Sequence, residues 1–119
     1  GTGLVEALSM AMVRLATPET FELWTVLSAG IVNVFVPSGG GQWAVQGPLL
    51  IRAALDLGVP LDRTILAMAY GDELTNMLQP FWALPLLGIT GLAAKDILPY
   101  TVRFMTVGLA ACLFLTAIT

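Results

Sequence analysis

Polar residues divide this chain into apolar segments of unequal length. The first long segment, 18–36, begins after Thr17-Pro18-Glu19, which has the composition of a helix start with Thr17 as the N-cap. The segment ends at Pro37. At 1.5 Å per residue its apolar part is about 24 Å long, which is less than the ~30 Å hydrocarbon core of a bilayer. We therefore predict a helix that does not span a membrane by itself.

A second short apolar segment follows a glycine tract. Apolar residues resume near Trp43 and continue to Leu57, where Gly58 and Pro60 end the pattern. Two segments that are too short to span, joined by glycines, predict a re-entrant hairpin over 18–58 that enters and leaves the membrane on one side. Residues 1–16 precede this hairpin and are predicted to form a separate, largely apolar arm.

A polar interruption occupies the middle of the next segment, 61–94. The stretch from Asp72 to Gln79 separates two apolar pieces, and neither piece is long enough to cross a bilayer. One broken transmembrane helix over 61–94 accounts for both lengths. The alternative is an interfacial loop between two short helices.

A final helix completes the predicted order. Lys95 and Asp96 are predicted to form a turn, and residues 99–119 supply an apolar stretch of spanning length. The pattern therefore predicts an all-α, polytopic membrane protein with an arm, a re-entrant hairpin, a broken helix and a spanning helix.

Composition supports a membrane location. Of the 119 residues, 57% are hydrophobic and only 11% are charged, whereas soluble domains have about 25% charged residues. The mean hydropathy is +0.87. The net charge of -3 provides no basic surface for nucleic acid, and the single cysteine excludes an internal disulfide. Since the first residues lack an initiator methionine, we expect a fragment of a longer chain.

The first polar cluster surrounds the glycine tract. Irregular backbone at membrane depth persists only where it packs in protein or lines a wet cavity. Glycines permit a tight turn with free N–H groups, and a helix that restarts near Gln42 would present its N-terminus to an anion such as a carboxylate. A glycine turn that only joins two helices is the alternative. The cluster contains Asn33, Ser38, Gly39, Gly40, Gly41, Gln42 and Gln46.

The second polar cluster lies within the predicted broken helix. Positions 72, 75, 76 and 79 would form one stripe on a continuous helix. Gly71 and Pro80 would instead bracket an unwound stretch, with Pro80 opening the second half-helix. In both arrangements these groups face protein or water, because they are costly in hydrocarbon. The cluster contains Asp72, Glu73, Thr75, Asn76 and Gln79.

Three aromatic residues accompany the two clusters. Trp43, Phe81 and Trp82 are candidates for an apolar slot beside the polar groups, and interface anchoring is the alternative role. The sequence has no histidine, no G-x-S-x-G elbow, no Walker-type motif and no pair of metal-binding cysteines or histidines. We therefore predict neither an enzyme nor a bound cofactor.

Two long motifs resemble a known family. Val36–Pro48 reads VPSGGGQWAVQGP and Thr75–Gly88 reads TNMLQPFWALPLLG. Both are similar to the bacterial short-chain fatty acid transporter family, and the likeness extends from Gly1 to about Tyr100. That family resembles the ion-transporter superfamily, whose inverted repeats each contain a re-entrant hairpin followed by a broken helix. The resemblance implies that this chain is the C-terminal portion of a longer permease and forms one such repeat.

The resemblance also implies a function, secondary transport of short-chain monocarboxylates such as acetoacetate or butyrate across the bacterial cytoplasmic membrane. By position, Ser38 to Gly41 would be the hairpin tip and Asp72 to Gln79 the break, and together they would form half of a midplane site. We expect half-helix N-termini near Gly41 and Pro80 to hold the carboxylate. The expected partners are the lipid bilayer and either the remaining half of the transporter or a second copy.

The expected coupling ion is a proton or sodium. Asp72 and Glu73 are the candidates for carrying a proton, and Asn33 is a further coupling candidate. For sodium, the expected ligands are oxygen groups of Ser38, Thr75 and Asn76, because hard cations prefer oxygen. A membrane scaffold or assembly subunit without transport is the alternative function.

Overall fold

The computed structural model describes residues 3–118, and this part of the chain is helical with no strand. The predicted all-α class is therefore confirmed. The elements in chain order are α1 (Leu4–Leu15), α2 (Phe21–Phe35), α3 (Gly39–Leu57), α4 (Leu61–Asn76), a 3-10 turn (Pro80–Ala83), α5 (Leu84–Thr90) and α6 (Ala94–Ile118).

Within residues 3–118, α6 is the one helix that is long and apolar enough to cross a bilayer. Its candidate span covers 23 residues, Ala94–Thr116, and none of its most hydrophobic window is buried within the chain. Phe104 and Val107 are each 69% exposed. A long apolar helix with an uncovered surface fits contact with lipid rather than a water-soluble core. α2 and the segment Pro80–Thr90 are apolar but shorter.

Helices α2 and α4 form the most extensive helix pair, and Gly71 lies in close contact with the α2 backbone. A Cβ atom on Gly71 would lie 2.3 Å from the Val26 carbonyl oxygen and 2.7 Å from the Ala29 Cβ. On the facing side, a Cβ on Gly30 would lie 3.1 Å from Thr75 Cγ2. Small residues permit such close backbone packing between membrane helices. This contact fixes the polar half of α4 against α2.

An apolar core lies around the start of α2. Phe21 and Leu50 are fully buried in it, and α1, α3 and α4 pack against α2 around them. An ion pair of 3.2 Å between Arg63 and Glu22 joins the first turns of α4 and α2. The core residues are Phe21, Ala29, Leu50, Ala53, Ala54, Val59 and Met68.

The start of α2 differs from the prediction. The N-cap position is Thr20 rather than Thr17, so the helix begins three residues later than its sequence pattern indicated. The reason is a local turn, in which the Thr17 backbone N–H donates to Thr20 Oγ1 at 2.9 Å. Threonine hydroxyls that bond to nearby backbone favour such turns over continued helix.

The glycine tract is helical rather than irregular. Ser38 has extended backbone and accepts the Gly41 N–H through Oγ at 3.3 Å, so it is the N-cap of α3. Gly39 to Gly41 then form the first turn. The predicted restart near Gln42 is wrong by one turn, because the serine cap sets an earlier start. Only residues 36–38 separate α2 from α3.

Helix α4 continues past Gly71 to Asn76, and only residues 77–79 separate it from the 3-10 turn that begins at Pro80. We refer to residues 77–79 as the break. Positions 72, 75 and 76 therefore lie on the helix, whereas Gln79 lies beyond it. Pro80 opens the following 3-10 turn at its first position. The structure thus combines the two alternatives for this stretch, since a helical stripe leads into a short unwound segment.

The connection to α6 also differs from the prediction. α5 ends at Thr90 because Gly91 adopts the left-handed conformation, with φ of 70°. α6 begins at Ala94, so Lys95 and Asp96 lie in its first turn rather than in a turn between helices. Asp96 Oδ2 accepts the Ala93 N–H at 2.9 Å, and this capping contact starts the helix earlier.

Candidate functional site

Asn33, near the end of α2, is the centre of the polar contacts between α2 and α4. Its side chain is fully buried, and Nδ2 lies 2.9 Å from Asp72 O, Thr75 Oγ1 and Asn76 Oδ1. An amide nitrogen has two hydrogens, so these three acceptors share two donors. Its Oδ1 has no hydrogen-bond partner among the described residues. One buried amide therefore ties the end of α4 to α2.

Pro37 leaves a backbone carbonyl without its helical donor at the end of α2. A proline has no N–H, so it cannot donate to the carbonyl of Asn33 four residues earlier. Gln79 donates to that oxygen instead, from Nε2 at 2.9 Å. The side chain of Gln79, which lies between α4 and the 3-10 turn, thus supplies the hydrogen bond that this α2 carbonyl lacks.

Pro80 has the same effect at the end of α4. It cannot donate to the carbonyl of Asn76, which instead accepts the Gln79 backbone N–H at 3.0 Å and the Trp82 indole N–H at 3.2 Å. Both interruptions have an asparagine four residues before a proline, and in both a side chain donates to the carbonyl of that asparagine. The hydrogen bond from Gln79 to the Asn33 carbonyl joins the two interruptions and fixes the geometry of the region.

An open pocket of about 530 Å³ lies beside this break. Ligand pockets of proteins commonly have volumes of a few hundred Å³ and combine apolar walls with a few polar groups. This pocket has that character, because amide and carboxylate groups share its lining with two aromatic rings. The lining residues are Pro37, Glu73, Asn76, Met77, Gln79, Phe81 and Trp82.

The glycine tract lies outside the lining of this pocket. Ser38, Gly39, Gly40 and Gly41 are all exposed, and a Cβ on Gly40 would meet no atom within 4 Å. Gly39 is close to the break, since a Cβ there would lie 3.4 Å from Asp72 Oδ2. The Asp72 carboxylate is therefore near the N-terminus of α3, where the helix dipole favours negative charge.

Gln42 and Gln46 face the interface between α2 and α3. Both are fully buried. Gln42 Nε2 donates to Ala29 O at 2.9 Å and to Gln46 Oε1 at 3.0 Å, and Gln46 Nε2 donates to Ser28 Oγ at 2.9 Å. These amides join two helices through hydrogen bonds, and Gln42 is not among the residues that line the pocket beside the break.

The predicted aromatic slot is divided between two places. Phe81 and Trp82 line the pocket beside the break. Trp43 lies against Gly47 of its own helix, where an added Cβ would be 2.8 Å from the ring, and it lines a smaller cavity of about 130 Å³ next to Asp72. Asp72 and its neighbour Glu73 therefore line different cavities.

The expected sodium ligands are also only partly brought together. Thr75 Oγ1 and Asn76 Oδ1 share the Asn33 amide, whereas Ser38 Oγ accepts its own cap hydrogen bond at the surface. Within the described residues, no group of three or more histidine, cysteine or acidic side chains forms a metal site.

Sequence reasoning missed two residues of the pocket, Pro37 and Met77. It also missed the role of Trp82 as a hydrogen-bond donor to the α4 carbonyl. The repeated spacing of asparagine and proline was the available signal, because a proline in a helical context always leaves the carbonyl four residues earlier without its donor. A donor from elsewhere in the chain was then to be expected.

Comparison with known proteins gives a consistent result. The family model described as "Short chain fatty acid transporter" matches residues 1–118. A protein of Escherichia coli (strain K12) named "Putative short-chain fatty acid transporter" is 44% identical over 101 residues, which cover 85% of this chain and 23% of that protein. A protein of the same name from Haemophilus influenzae (strain ATCC 51907 / DSM 11121 / KW20 / Rd) is 44% identical over 99 residues, covering 83% and 22%. No solved structure matches the chain.

Proposed function

Because the chain belongs to the short-chain fatty acid transporter family, we propose that it forms part of a multi-pass secondary carrier for small monocarboxylates in the bacterial cytoplasmic membrane. The chain spans less than a quarter of the length of the two relatives. The remaining walls of the transport pathway are therefore assigned to sequence outside this chain, or to a second copy of it.

The pocket beside the break carries this proposal. A short-chain fatty acid has one carboxylate and a small apolar tail, and the pocket offers amide groups and aromatic rings side by side. We place the carboxylate near Asn76 and Gln79, where Thr75 holds the end of α4 in position. The tail then contacts Phe81 and Trp82. Such pairing of a few polar groups with apolar walls is typical of small-molecule sites.

The glycine tract is proposed as the edge of the same site. Ser38 to Gly41 are exposed within this chain, so their free surface is available to the missing part of the carrier. The first turn of α3 would then direct its N–H groups towards an anion that lies between the two parts. Gln42 would support this turn through its buried hydrogen bond to Ala29 O.

The helices support a specific membrane arrangement. α2 has 15 residues, or about 22 Å, and short loops join it to its neighbours. We propose that α2 and α3 form a re-entrant hairpin, that α4 and α5 together form one broken span, and that α6 crosses the membrane completely. The close packing of α2 against α4 would then hold the hairpin against the break.

We propose that transport is coupled to a cation because of the charges at the site. Glu73 lines the pocket, and a second carboxylate beside it in a low-dielectric site is strongly repelled. We propose that a proton on Glu73 or Asp72, or a sodium ion, offsets this repulsion. Asp72 O, Thr75 Oγ1 and Asn76 Oδ1 all accept from Asn33 Nδ2, so a sodium ion bound by these hard oxygens would compete with this amide. The Asn33 Oδ1, which is buried without a hydrogen-bond partner among the described residues, is a further oxygen ligand for it.

Uptake into proteoliposomes tests the proposal. The full-length carrier should accumulate labelled butyrate, and a sodium gradient and a pH gradient imposed separately should identify the coupling ion. Asn76→Leu and Gly40→Trp should each abolish uptake at unchanged membrane insertion, whereas Phe104→Leu on the exposed face of α6 should retain it. Equal uptake by all three variants would contradict the site. No uptake by the unmodified carrier would contradict the transport function.

A further inference from the structure

Trp82 presents a large aromatic surface to the pocket beside the break. It is 58% exposed within this chain, and the neighbouring Phe81 is 67% exposed. Neither ring therefore belongs to the apolar core. Aromatic rings that stand beside amide groups in a pocket are suited to contact the apolar part of a small ligand.

The orientation of Trp82 is more strictly determined than that of Phe81. The indole N–H donates to Asn76 O at 3.2 Å, as a second donor beside the Gln79 backbone N–H at 3.0 Å, since Pro80 has no N–H to offer this carbonyl. A phenyl ring has no polar atom and cannot form such a bond. Trp82 is thus anchored to the residue whose side chain forms part of the polar end of the pocket.

We propose that Trp82 limits the length of the acyl chain that the carrier accepts. This inference rests on the proposed function, in which the carboxylate lies near Asn76 and Gln79 and the tail extends along the aromatic wall. A short tail fits between the polar groups and the anchored indole, which it contacts without displacing. A longer tail must displace the ring and break its hydrogen bond. Trp82 is therefore a specificity-determining residue.

Competition measurements on the full-length carrier test this role. Unlabelled straight-chain acids of two to eight carbons compete with labelled butyrate in proteoliposomes, and the ratio of the hexanoate to the butyrate inhibition constant reports chain-length preference. In Trp82→Ala we expect this ratio to fall about tenfold, since each newly buried methylene strengthens binding roughly fourfold. Trp82→Phe, which retains most of the bulk, should change the ratio by less than about threefold.

Trp24→Ala is the matched control, because Trp24 lies on α2 outside the pocket lining. An unchanged ratio in Trp82→Ala with butyrate uptake retained would overturn the inference and leave the proposed function intact. Equal shifts in the alanine and phenylalanine variants would show that the bulk of the ring does not set the length limit and would also overturn the inference. If Trp82→Ala does not insert, Trp82→Leu replaces it under the same criteria. Absence of butyrate uptake by the unmodified carrier would instead refute the proposed function.

Discussion

Asn33 and Asn76 each precede a proline by four residues, yet the chain forms different structures after the two prolines. After Pro37, the Ser38 cap starts an α-helix of 19 residues whose glutamines are buried against α2. After Pro80, a four-residue 3-10 turn leaves its aromatic rings exposed beside a pocket. A proline break thus does not by itself make a binding surface. The residues that follow the proline decide whether nearby polar groups are buried in helix packing or remain accessible to a ligand.

The largest expected effect concerns the contact that holds the two regions together. Gly71→Ala places a Cβ 2.3 Å from the Val26 carbonyl oxygen, so the backbones of α2 and α4 must separate. We expect the free energy of unfolding to fall by about 3 kcal/mol. Thermal melting of the full-length protein in detergent measures this loss.

Gly40→Ala is the matched control for that change, because a Cβ on Gly40 meets no atom within 4 Å. Alanine has the higher helix propensity, so this variant should be unchanged or more stable by up to about 1 kcal/mol. Equal melting temperatures for the two variants would contradict the close packing of α2 on α4.

Replacing the buried amide at the break should have the next largest effect. Asn33→Leu removes the donor that Asp72 O, Thr75 Oγ1 and Asn76 Oδ1 share. We expect a loss of about 2–3 kcal/mol in stability, because buried acceptors without partners are costly, and a loss of butyrate uptake. Melting curves and uptake by the same preparation measure both. Val34→Leu, on the exposed side of α2, should change neither.

A smaller effect is expected from the buried amides that follow Pro37. Gln46→Leu leaves Ser28 Oγ and Gln42 Nε2 each without one hydrogen bond, and we expect a loss of about 1–2 kcal/mol. The KM for butyrate should remain within about twofold, since this network does not line the pocket. A large rise in KM without loss of stability would place the tract network in the site.

The smallest effect is expected at the helix cap. Ser38→Ala removes a 3.3 Å hydrogen bond to the Gly41 N–H on an exposed turn, so the stability should fall by about 0.5–1 kcal/mol. Ser38→Asp, which retains an N-cap acceptor, should restore it. Failure of aspartate to restore stability would contradict the capping role of this residue.

The sequence allowed the coarse features of this protein to be predicted. Low charge and long apolar segments predicted the membrane location and the all-α class, and the two motifs around Ser38 and Asn76 identified the family. The match to the family model and the two relatives confirm that resemblance. Both relatives carry the name of a transporter, and the proposed function follows that name rather than the alternative of a scaffold without transport.

The details that the sequence did not reveal depend on contacts between distant residues. The glycine tract was predicted to be irregular because glycine disfavours helix, but the Ser38 cap and the packing of Gln42 against α2 override that preference. The contacts of Asn33 join residues 39 to 43 positions apart, which no local pattern reveals. The sequence therefore identified the polar residues. It did not reveal which of them are buried between helices and which line the pocket.

The most direct test compares one amide from each region in the full-length carrier. Labelled butyrate uptake into proteoliposomes is measured for Asn76→Leu and Gln46→Leu at matched membrane insertion. We predict that Asn76→Leu lowers kcat/KM at least tenfold, whereas Gln46→Leu keeps it within about twofold, because only Asn76 lines the pocket. The reverse order, or an equal loss in both variants, would contradict the assignment of the site to the break.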